Sequence, residues 1–222
     1  MLLNSIASVK DKDMTVVINN FFPGELQPST VIAGCIAIYE NAWPNPGNTI
    51  EMIENAASDS DSGVHWQRAE TTQEGAHQTH RTNKMMGITH LAGITNNAVL
   101  QNVHNQYYML LLAASIPYAK RFNIAEGLWH EHYQMLKYDQ GEEYKGHYDG
   151  GTTIGRAISC LCYLNDNFEG GEIEFPNFHV KIKPEPGMLI LFPSNYAYLH
   201  IAHPVTSGTK YSMVTWIKDR EK

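Results

Sequence analysis

The chain has 222 residues, a length typical of one domain or at most two small ones. It carries 16 Lys and Arg against 23 Asp and Glu, which gives a formal net charge of −7. This acidic balance argues against a protein that binds the phosphate backbone of nucleic acids, since such proteins usually present a basic face. The 11 His beside 3 Cys favour histidine chemistry in a reducing compartment, although a count identifies no site.

The three cysteines, Cys35, Cys160 and Cys162, form no C-x-x-C pair, so zinc-finger and thioredoxin-like sites are not expected. Cys160 and Cys162 share one face of a predicted strand, where small buried side chains are the usual interpretation. The N-terminus lacks the apolar core of a signal peptide, and the longest apolar run, residues 107–119, is too short to span a bilayer. The sequence therefore predicts a soluble, cytoplasmic protein.

The first half of the chain predicts a mixture of strand and helix. Residues 31–40 (VIAGCIAIYE) are apolar and β-branched enough for one strand. Residues 49–57 have apolar positions at helical spacing, with Thr49 as the expected N-cap. Residues 97–114 predict a long helix that ends before Pro117, because the residue preceding a proline disfavours helical geometry.

The second half predicts a β-rich core. Eight short strand-like runs extend from Tyr133 to the end of the chain, separated by turns rich in Gly, Pro, Asn and Asp. Many short strands at even spacing, preceded by helices, favour an α+β, mainly β fold: a jelly roll buttressed by N-terminal helices. No linker divides the chain, so residues 1–222 are expected to form a single domain. Residues 1–30, an N-terminal extension, show no pattern that chooses between ordered strands and a mobile arm.

One set of residues indicates a metal centre. His147 and Asp149 lie two apart, so on a strand they share a face and can occupy adjacent positions on a metal. His200 follows His147 by 53 residues. Two His and one carboxylate make the facial triad of non-haem Fe(II) oxygenases, which leaves coordination positions open. Lys210, ten residues after His200, adds a cation that needs an anionic partner if it is buried, and a dicarboxylic cosubstrate would supply one.

Four motifs carry a family resemblance: HYD (147–149), YLND (163–166), GGEIEFP (170–176) and the run from LFPSNYAYLHIAHPVTSG to TKYSMVTWI (191–217). In this order they resemble the prolyl 4-hydroxylase type of Fe(II)/2-oxoglutarate-dependent dioxygenases. The strong resemblance covers about residues 131–219, the core metal-binding jelly roll, and upstream it is faint. The implied fold is a double-stranded β-helix, a variant of the jelly roll reached from the strand count.

The resemblance implies a catalytic iron centre whose ligands are His147, Asp149 and His200. His203 is an alternative to His200, but the family's ligand precedes the PVTSG segment by several residues, which favours His200. His203 is then expected at the rim of the site or in solvent. The carboxylate at position 149 favours hydroxylation, since related halogenases have a small residue there.

The same resemblance implies a site for the cosubstrate. Lys210 would pair with the distal carboxylate of 2-oxoglutarate, and Tyr163 would help to hold that carboxylate through its hydroxyl. Tyr138 occupies the position of a tyrosine that contacts the cosubstrate. Ordinary aromatic packing is the alternative for both tyrosines, and packing is favoured for Trp216 in the last strand.

The remaining histidines are expected to have no ligand role. The H-x-H motif at His130 and His132 resembles the cupin metal motif, but Leu136 stands where a cupin would have Glu. His77 and His80 lie three apart in a polar segment with no third partner nearby. Isolated histidines are more often packed or exposed side chains than metal ligands.

The activity that the resemblance implies uses Fe(II), 2-oxoglutarate and O₂, with ascorbate as a reductant. It hydroxylates an unactivated C–H bond and yields succinate and CO₂. Peptidyl proline is the implied substrate, with free proline or another small molecule as the alternative. The rival from another class is a non-catalytic jelly-roll module that binds a metal or ligand. No nucleic-acid or membrane partner is expected, and the oligomeric state stays open.

Overall fold

The computed structural model of the chain describes residues 25–69, 80–95, 97–124, 129–151 and 155–218. Within these ranges the α-helices are α1 (Pro46–Ser58), α2 (Ile88–Thr95) and α3 (Ala98–Arg121). The first strands are β1 (Thr30–Ile32), β2 (Ile36–Tyr39), β3 (Gln67–Arg68) and β4 (Lys84–Gly87). The later strands are β5 (Trp129–His130), β6 (Gln134–Tyr138), β7 (Tyr144–His147), β8 (Arg156–Tyr163), β9 (Phe168–Gly170), β10 (Ile173–Phe175), β11 (Val180–Ile182), β12 (Leu189–Pro193), β13 (His200–Ala202), β14 (Val205–Gly208) and β15 (Lys210–Lys218). Residues 1–24 of the expected N-terminal extension lie outside the described residues.

The strands form two antiparallel sheets and a short ribbon. The large sheet has the order β1-β2-β12-β8-β15-β6-β4-β3, and β5 also pairs with β15. The small sheet has the order β11-β10-β13-β7, while β14 pairs with β9. Side chains of the two sheets meet between them: Phe175 of β10 packs edge-on against Phe192 of β12, with ring centroids 4.9 Å apart. This jelly roll, a double-stranded β-helix, confirms the predicted mainly β fold.

The helices cover the outer face of the large sheet. Alternation along β8 shows how the sequence produces this arrangement. Cys160 and Cys162 are fully buried on the helix side, in one cluster with Tyr107 of α3. Leu161 and Tyr163 point to the opposite side, into the jelly roll. The two cysteines are therefore the small buried side chains that the sequence predicts, and burial raises the pKa of both thiols.

The predicted single strand over residues 31–40 is wrong in one respect, because the segment folds back on itself. Strands β1 and β2 pair across a three-residue turn. Ala33 and Gly34 in this turn have φ angles of 47° and 79°. Glycine adopts positive φ without strain, so Gly34 permits the reversal within an otherwise apolar run.

Helix α1 begins three residues before the predicted start. Pro46 is its first residue and Asn45 its N-cap. Proline suits this position, because its fixed φ is helical and the first turn has no use for its missing N–H. Thr49, the predicted N-cap, lies inside the helix, where its hydroxyl accepts a hydrogen bond of 3.0 Å from the indole of Trp43.

Helix α3 has the predicted start but a later end. The side chain of Asn97 caps its first turn, and the helix continues through Pro117 to Arg121. Pro117 cannot donate to the carbonyl of Ala113, four residues earlier. The backbone N–H of Leu26 donates to that carbonyl at 2.9 Å, so the freed acceptor is satisfied from outside the helix. None of the helices in the described ranges is long and apolar enough to cross a membrane.

All eight strand-like runs of the second half form strands, and the structure adds others. Strands β9 and β14 pair with each other in the short two-stranded ribbon. Their sequences, FEG and VTSG, are short and rich in turn-forming residues, so they show no apolar alternation. Pairing with a distant strand, rather than local propensity, explains their extended structure.

Candidate metal centre

Two strands of the small sheet and one turn bring His147, Asp149 and His200 together. His147 ends β7 and His200 begins β13, and the two residues lie directly opposite each other in the antiparallel pair. Asp149 follows β7 by two residues. One ligand atom from each residue lies within 4.8 Å of the others. In the part of the chain that the structure describes, no other group of three potential metal ligands is this close.

Backbone carbonyls fix the orientation of both imidazoles. Nδ1 of His147 lies 2.8 Å from the carbonyl oxygen of Lys145, and Nδ1 of His200 lies 3.1 Å from that of Tyr198. A carbonyl oxygen only accepts, so Nδ1 of each ring carries the proton. Each Nε2 therefore presents its lone pair to the shared space, which is the tautomer that a metal ligand requires.

The carboxylate lies between the two rings. Asp149 Oδ1 is 3.7 Å from Nε2 of His147, and Oδ2 is 3.7 Å from Nε2 of His200. All three side chains are buried. Burial would raise the pKa of Asp149, but His200, His147 and a hydrogen bond from Ser159 outweigh burial and lower it. Burial, together with His200, lowers the pKa of His147 to about 3. The site therefore offers deprotonated donors, as metal binding demands.

Two further residues support His147, and the sequence did not single them out. The ring of Tyr144 stacks on the imidazole of His147, with centroids 3.4 Å apart and planes inclined by 14°. The guanidinium of buried Arg81 lies 4.8 Å from the Tyr144 centroid. Arg81 lies in residues 80–84 (HRTNK), far from the triad in sequence, and an isolated β-bridge to Tyr144 brings it close. No local spacing could have revealed this contact.

The large sheet contributes a buried cation. Lys210 begins β15, directly opposite Tyr138 of β6, and its ammonium lies 4.3 Å from the Tyr138 ring centroid. The ammonium donates a hydrogen bond of 2.8 Å to the carbonyl of Gly171. Among the described residues, no carboxylate lies within ion-pair distance of it. Burial lowers the pKa of Lys210 to about 7, although Glu172 partly offsets this effect.

The triad and Lys210 line the same cleft. Tyr138, Tyr163 and Trp216 also line it, so the structure brings the sequence-predicted site residues into one place. Burial raises the pKa of both tyrosines, which keeps their hydroxyls protonated. A cluster of three metal donors leaves coordination positions open, and the buried cation has no carboxylate at ion-pair distance among the described residues. Together they fit a divalent metal with a dicarboxylate.

Trp216 has two roles where the sequence favoured packing alone. Its indole forms part of the cleft wall, and the guanidinium of Arg156 stacks on it with its carbon 3.6 Å from the ring centroid. The indole N–H has no hydrogen-bond partner within ordinary distance among the described residues. It nevertheless lies close enough to contribute to the lowered pKa of Asp149.

The other histidines lie outside the triad. Nε2 of His203 is 2.5 Å from a carboxylate oxygen of Glu174, and its side chain is partly exposed. His130 packs edge-on against Tyr108 and Tyr133, and burial lowers its pKa to about 4. His130 therefore serves packing, whereas His132, the second histidine of the H-x-H motif, is exposed. His77 lies outside the described residues.

Comparison with known proteins extends these observations. Residues 133–218 match the family model of the 2OG-Fe(II) oxygenase superfamily. "Probable prolyl 4-hydroxylase 9" of Arabidopsis thaliana is 32% identical over 121 residues, which cover 41% of this chain and 42% of that protein. The chain thus spans less than half the length of this curated relative.

Solved structures share the fold over most of the chain. A prolyl hydroxylase from Trichoplax adhaerens, in complex with a hypoxia inducible factor peptide fragment, has a TM-score of 0.70 at 17% identity. The likeness covers 96% of each chain. The viral collagen prolyl hydroxylase of Paramecium Bursaria Chlorella virus-1, in complex with 2OG, has a TM-score of 0.53 at 20% identity and covers 84% of this chain and 97% of its own.

Fold and site together define a jelly-roll protein with a two-histidine, one-carboxylate cluster beside a buried lysine. The matched segment contains both features. Residues 133–218 are thus similar in sequence to the 2OG-Fe(II) oxygenase superfamily, and the relatives that resemble this chain include proteins named as prolyl 4-hydroxylases.

Proposed function

We propose that this protein is an Fe(II)- and 2-oxoglutarate-dependent dioxygenase that hydroxylates peptidyl proline, with release of succinate and CO₂. One observation carries the proposal: a single cleft contains three buried metal donors and a buried lysine without a carboxylate partner among the described residues. A structural metal site would have a fourth protein ligand, whereas this one leaves positions for small molecules.

The two sides of the cleft bind different groups, the metal on one side and the cosubstrate carboxylate on the other. His147 and His200 hold Fe(II) through Nε2, and Asp149 holds it through a carboxylate oxygen. Lys210 binds the distal carboxylate of 2-oxoglutarate, with the Tyr163 hydroxyl beside it and Tyr138 as a further contact. Iron with 2-oxoglutarate and O₂ supplies the oxidative chemistry when bound, while the protein binds, orients and shields.

Apolar side chains of the large sheet shield the cosubstrate. Leu136, Leu161 and Val214 line the cleft together with the charged groups. A wall of this kind excludes water, and the lower local dielectric strengthens the attraction between the Lys210 ammonium and a carboxylate. The same surroundings lower the pKa of Lys210 when no anion is present.

The choice of peptidyl proline rests on the relatives. The Trichoplax structure contains a peptide fragment, and the Arabidopsis relative is named as a prolyl 4-hydroxylase. We extend this substrate class to the present chain, with a peptide or protein as its partner. The nine-stranded sheet, which joins β1–β4 to the later strands, supports a single dioxygenase domain.

The test measures succinate formed from 2-oxoglutarate under air, with Fe(II) and ascorbate, against a substrate panel. The panel contains proline-rich peptides, the same peptides with alanine for proline, free proline and other amino acids. We expect proline-containing peptides to stimulate succinate formation and to gain 16 mass units, the mass of one oxygen atom, because the reaction inserts that atom. If free proline stimulates succinate formation and the peptides do not, the substrate is a small molecule and the proposal of a peptide substrate is wrong.

A second measurement separates an enzyme from a non-catalytic binding module. Anaerobic addition of Fe(II) and 2-oxoglutarate should produce a visible charge-transfer band, which disappears when O₂ is admitted and succinate forms. Absence of both the band and succinate would contradict the enzymatic proposal. Omission of ascorbate tests its role as a reductant, since we expect activity to decline over successive turnovers without it.

A further inference from the structure

The Asp149 carboxylate is hydrogen-bonded to the first of two buried serine hydroxyl groups, which are hydrogen-bonded to each other. Ser159 Oγ lies 2.6 Å from Asp149 Oδ2, and Ser194 Oγ lies 2.8 Å from Ser159 Oγ. Ser159 is fully buried and Ser194 nearly so. Ser159 lies on the inward side of β8, and Ser194 follows the last residue of β12. Water has no access to either hydroxyl, so their hydrogen bonds are made within the protein.

The direction of the hydrogen bonds follows from proton counting. The Asp149 carboxylate is ionised and only accepts, so the single hydroxyl proton of Ser159 goes to Asp149. Ser159 Oγ must then accept from Ser194, whose own proton completes the chain. Because Ser159 accepts from Ser194 while it donates to Asp149, the first hydrogen bond strengthens the second.

Ser194 also holds the backbone next to the carboxylate. Its carbonyl accepts a hydrogen bond of 2.7 Å from the N–H of Gly150. A Cβ atom on Gly150 would lie 2.9 Å from that carbonyl oxygen, so only glycine permits this approach. Arg156 donates to the Asp149 carbonyl at 3.2 Å from the other side. The turn that presents Asp149 is thus fixed at its backbone and at its side chain.

We propose that Ser159 and Ser194 are positioning residues that orient the Asp149 carboxylate for metal binding. Ser159 engages Oδ2, so the carboxylate cannot rotate freely between the two imidazoles. The inference rests on the proposed metal centre and assigns a role to residues beyond its three ligands. Outer hydrogen-bond partners of metal ligands act in this way, by holding a ligand in its binding geometry before the ion arrives.

The test measures Mn(II) affinity of the full chain by calorimetry, without 2-oxoglutarate or turnover. Ser159→Ala should weaken Mn(II) binding about 10- to 100-fold, the usual loss for an outer partner of a metal ligand. Ser159→Thr keeps the hydroxyl and should bind within about threefold of the wild type. Ser194→Ala removes only the second hydroxyl and should fall between them. The visible spectrum of bound Co(II) should also shift in Ser159→Ala, which a loss of fold stability alone would not cause.

Ser115→Ala is the matched control, because Ser115 is an equally buried serine in α3, away from the cleft. It should bind Mn(II) like the wild type. Wild-type affinity in a folded Ser159→Ala variant would overturn the proposal, as would an equal loss in Ser115→Ala. If Ser159→Ala does not fold, unchanged affinity in Ser194→Ala overturns it. Asp149→Ala distinguishes failure of the positioning proposal from failure of the proposed metal centre. Unchanged Mn(II) affinity in this variant would refute the metal centre itself.

Discussion

The two sides of the cleft contain buried ionisable groups that are compensated in different ways. On the small sheet, Asp149 lies between two imidazoles and accepts a hydrogen bond from Ser159. On the large sheet, Lys210 is also buried, but among the described residues its ammonium donates to a carbonyl oxygen and lies over a tyrosine ring, with no carboxylate at ion-pair distance. The pKa of Asp149 is lowered, which favours its charged form, whereas burial lowers the pKa of Lys210 towards its neutral form.

The two sides of the cleft therefore differ in how their charged side chains are stabilised before a ligand binds. The metal ligands are held by the protein before any ion binds, because each has an internal partner that fixes its orientation. The lysine side is stabilised only when an anion arrives, since a buried cation without a counter-ion is unfavourable. We therefore expect the fold to tolerate loss of Lys210 better than disruption of the network around Asp149.

Asp149→Ala should have the largest effect on function. Removing the carboxylate leaves two imidazoles, so we expect Mn(II) affinity to fall by more than the roughly 100-fold typical of an outer partner, and succinate formation to be abolished. Calorimetry and a succinate assay measure both. His203→Ala is the control, because His203 contacts Glu174 outside the triad and should retain activity. Full activity in Asp149→Ala would show that another carboxylate serves the site.

Lys210→Met should separate binding from stability. The neutral side chain cannot pair with the distal carboxylate, and charge-assisted hydrogen bonds of this kind contribute about 1.5–3 kcal/mol, so 2-oxoglutarate affinity should fall at least about tenfold. Mn(II) affinity should not change. The melting temperature without ligand should rise, because the variant no longer buries an uncompensated amine; each 1 kcal/mol corresponds to about 2–4 °C at this chain length. A lower melting temperature would contradict the inference that Lys210 destabilises the protein when no anion is bound.

The sequence anticipated the second half of the chain better than the first, for a physical reason. In the jelly roll, the central strands β8, β12 and β15 are mostly buried, so apolar runs and turn residues mark their bounds. His147 and Asp149 lie on or next to β7, and their spacing predicts a shared face. The end of α3 escaped prediction because the carbonyl freed by Pro117 is satisfied by Leu26, a contact that only the tertiary structure supplies.

The parts of the site that the sequence missed depend on the same kind of contact. Arg81 reaches the triad through Tyr144, and Ser194 reaches Asp149 through Ser159. Serine and arginine have no single structural meaning in a sequence, and neither residue lies at a recognisable spacing from the ligands. Ser159 offered a signal, since the strand phase places it on the inward face with Tyr163, and Arg81 lies in the upstream segment, residues 80–84, where the family resemblance is faint.

The affinity for 2-oxoglutarate should depend on pH through Lys210. Below its pKa of about 7 the lysine is already charged, so affinity is constant. Above that value, binding must take up a proton, so affinity should fall about tenfold per pH unit until the pKa of the complex is reached. Calorimetry in two buffers of different ionisation enthalpy should detect close to one proton taken up at pH 8. Lys210→Arg should remove this dependence, because guanidinium stays charged.

Tyr138 allows the smallest and sharpest test of the lysine side, since its ring and its hydroxyl can be removed separately. The ring face lies 4.3 Å from the Lys210 ammonium, and a desolvated cation–π contact contributes about 2 kcal/mol. Tyr138→Phe keeps this contact and loses only the proposed hydroxyl contact to the cosubstrate, so 2-oxoglutarate affinity should fall about fivefold, the equivalent of one ordinary hydrogen bond. Tyr138→Leu loses both and should fall further. Equal affinities in the two variants would show that the ring does not stabilise the charged lysine.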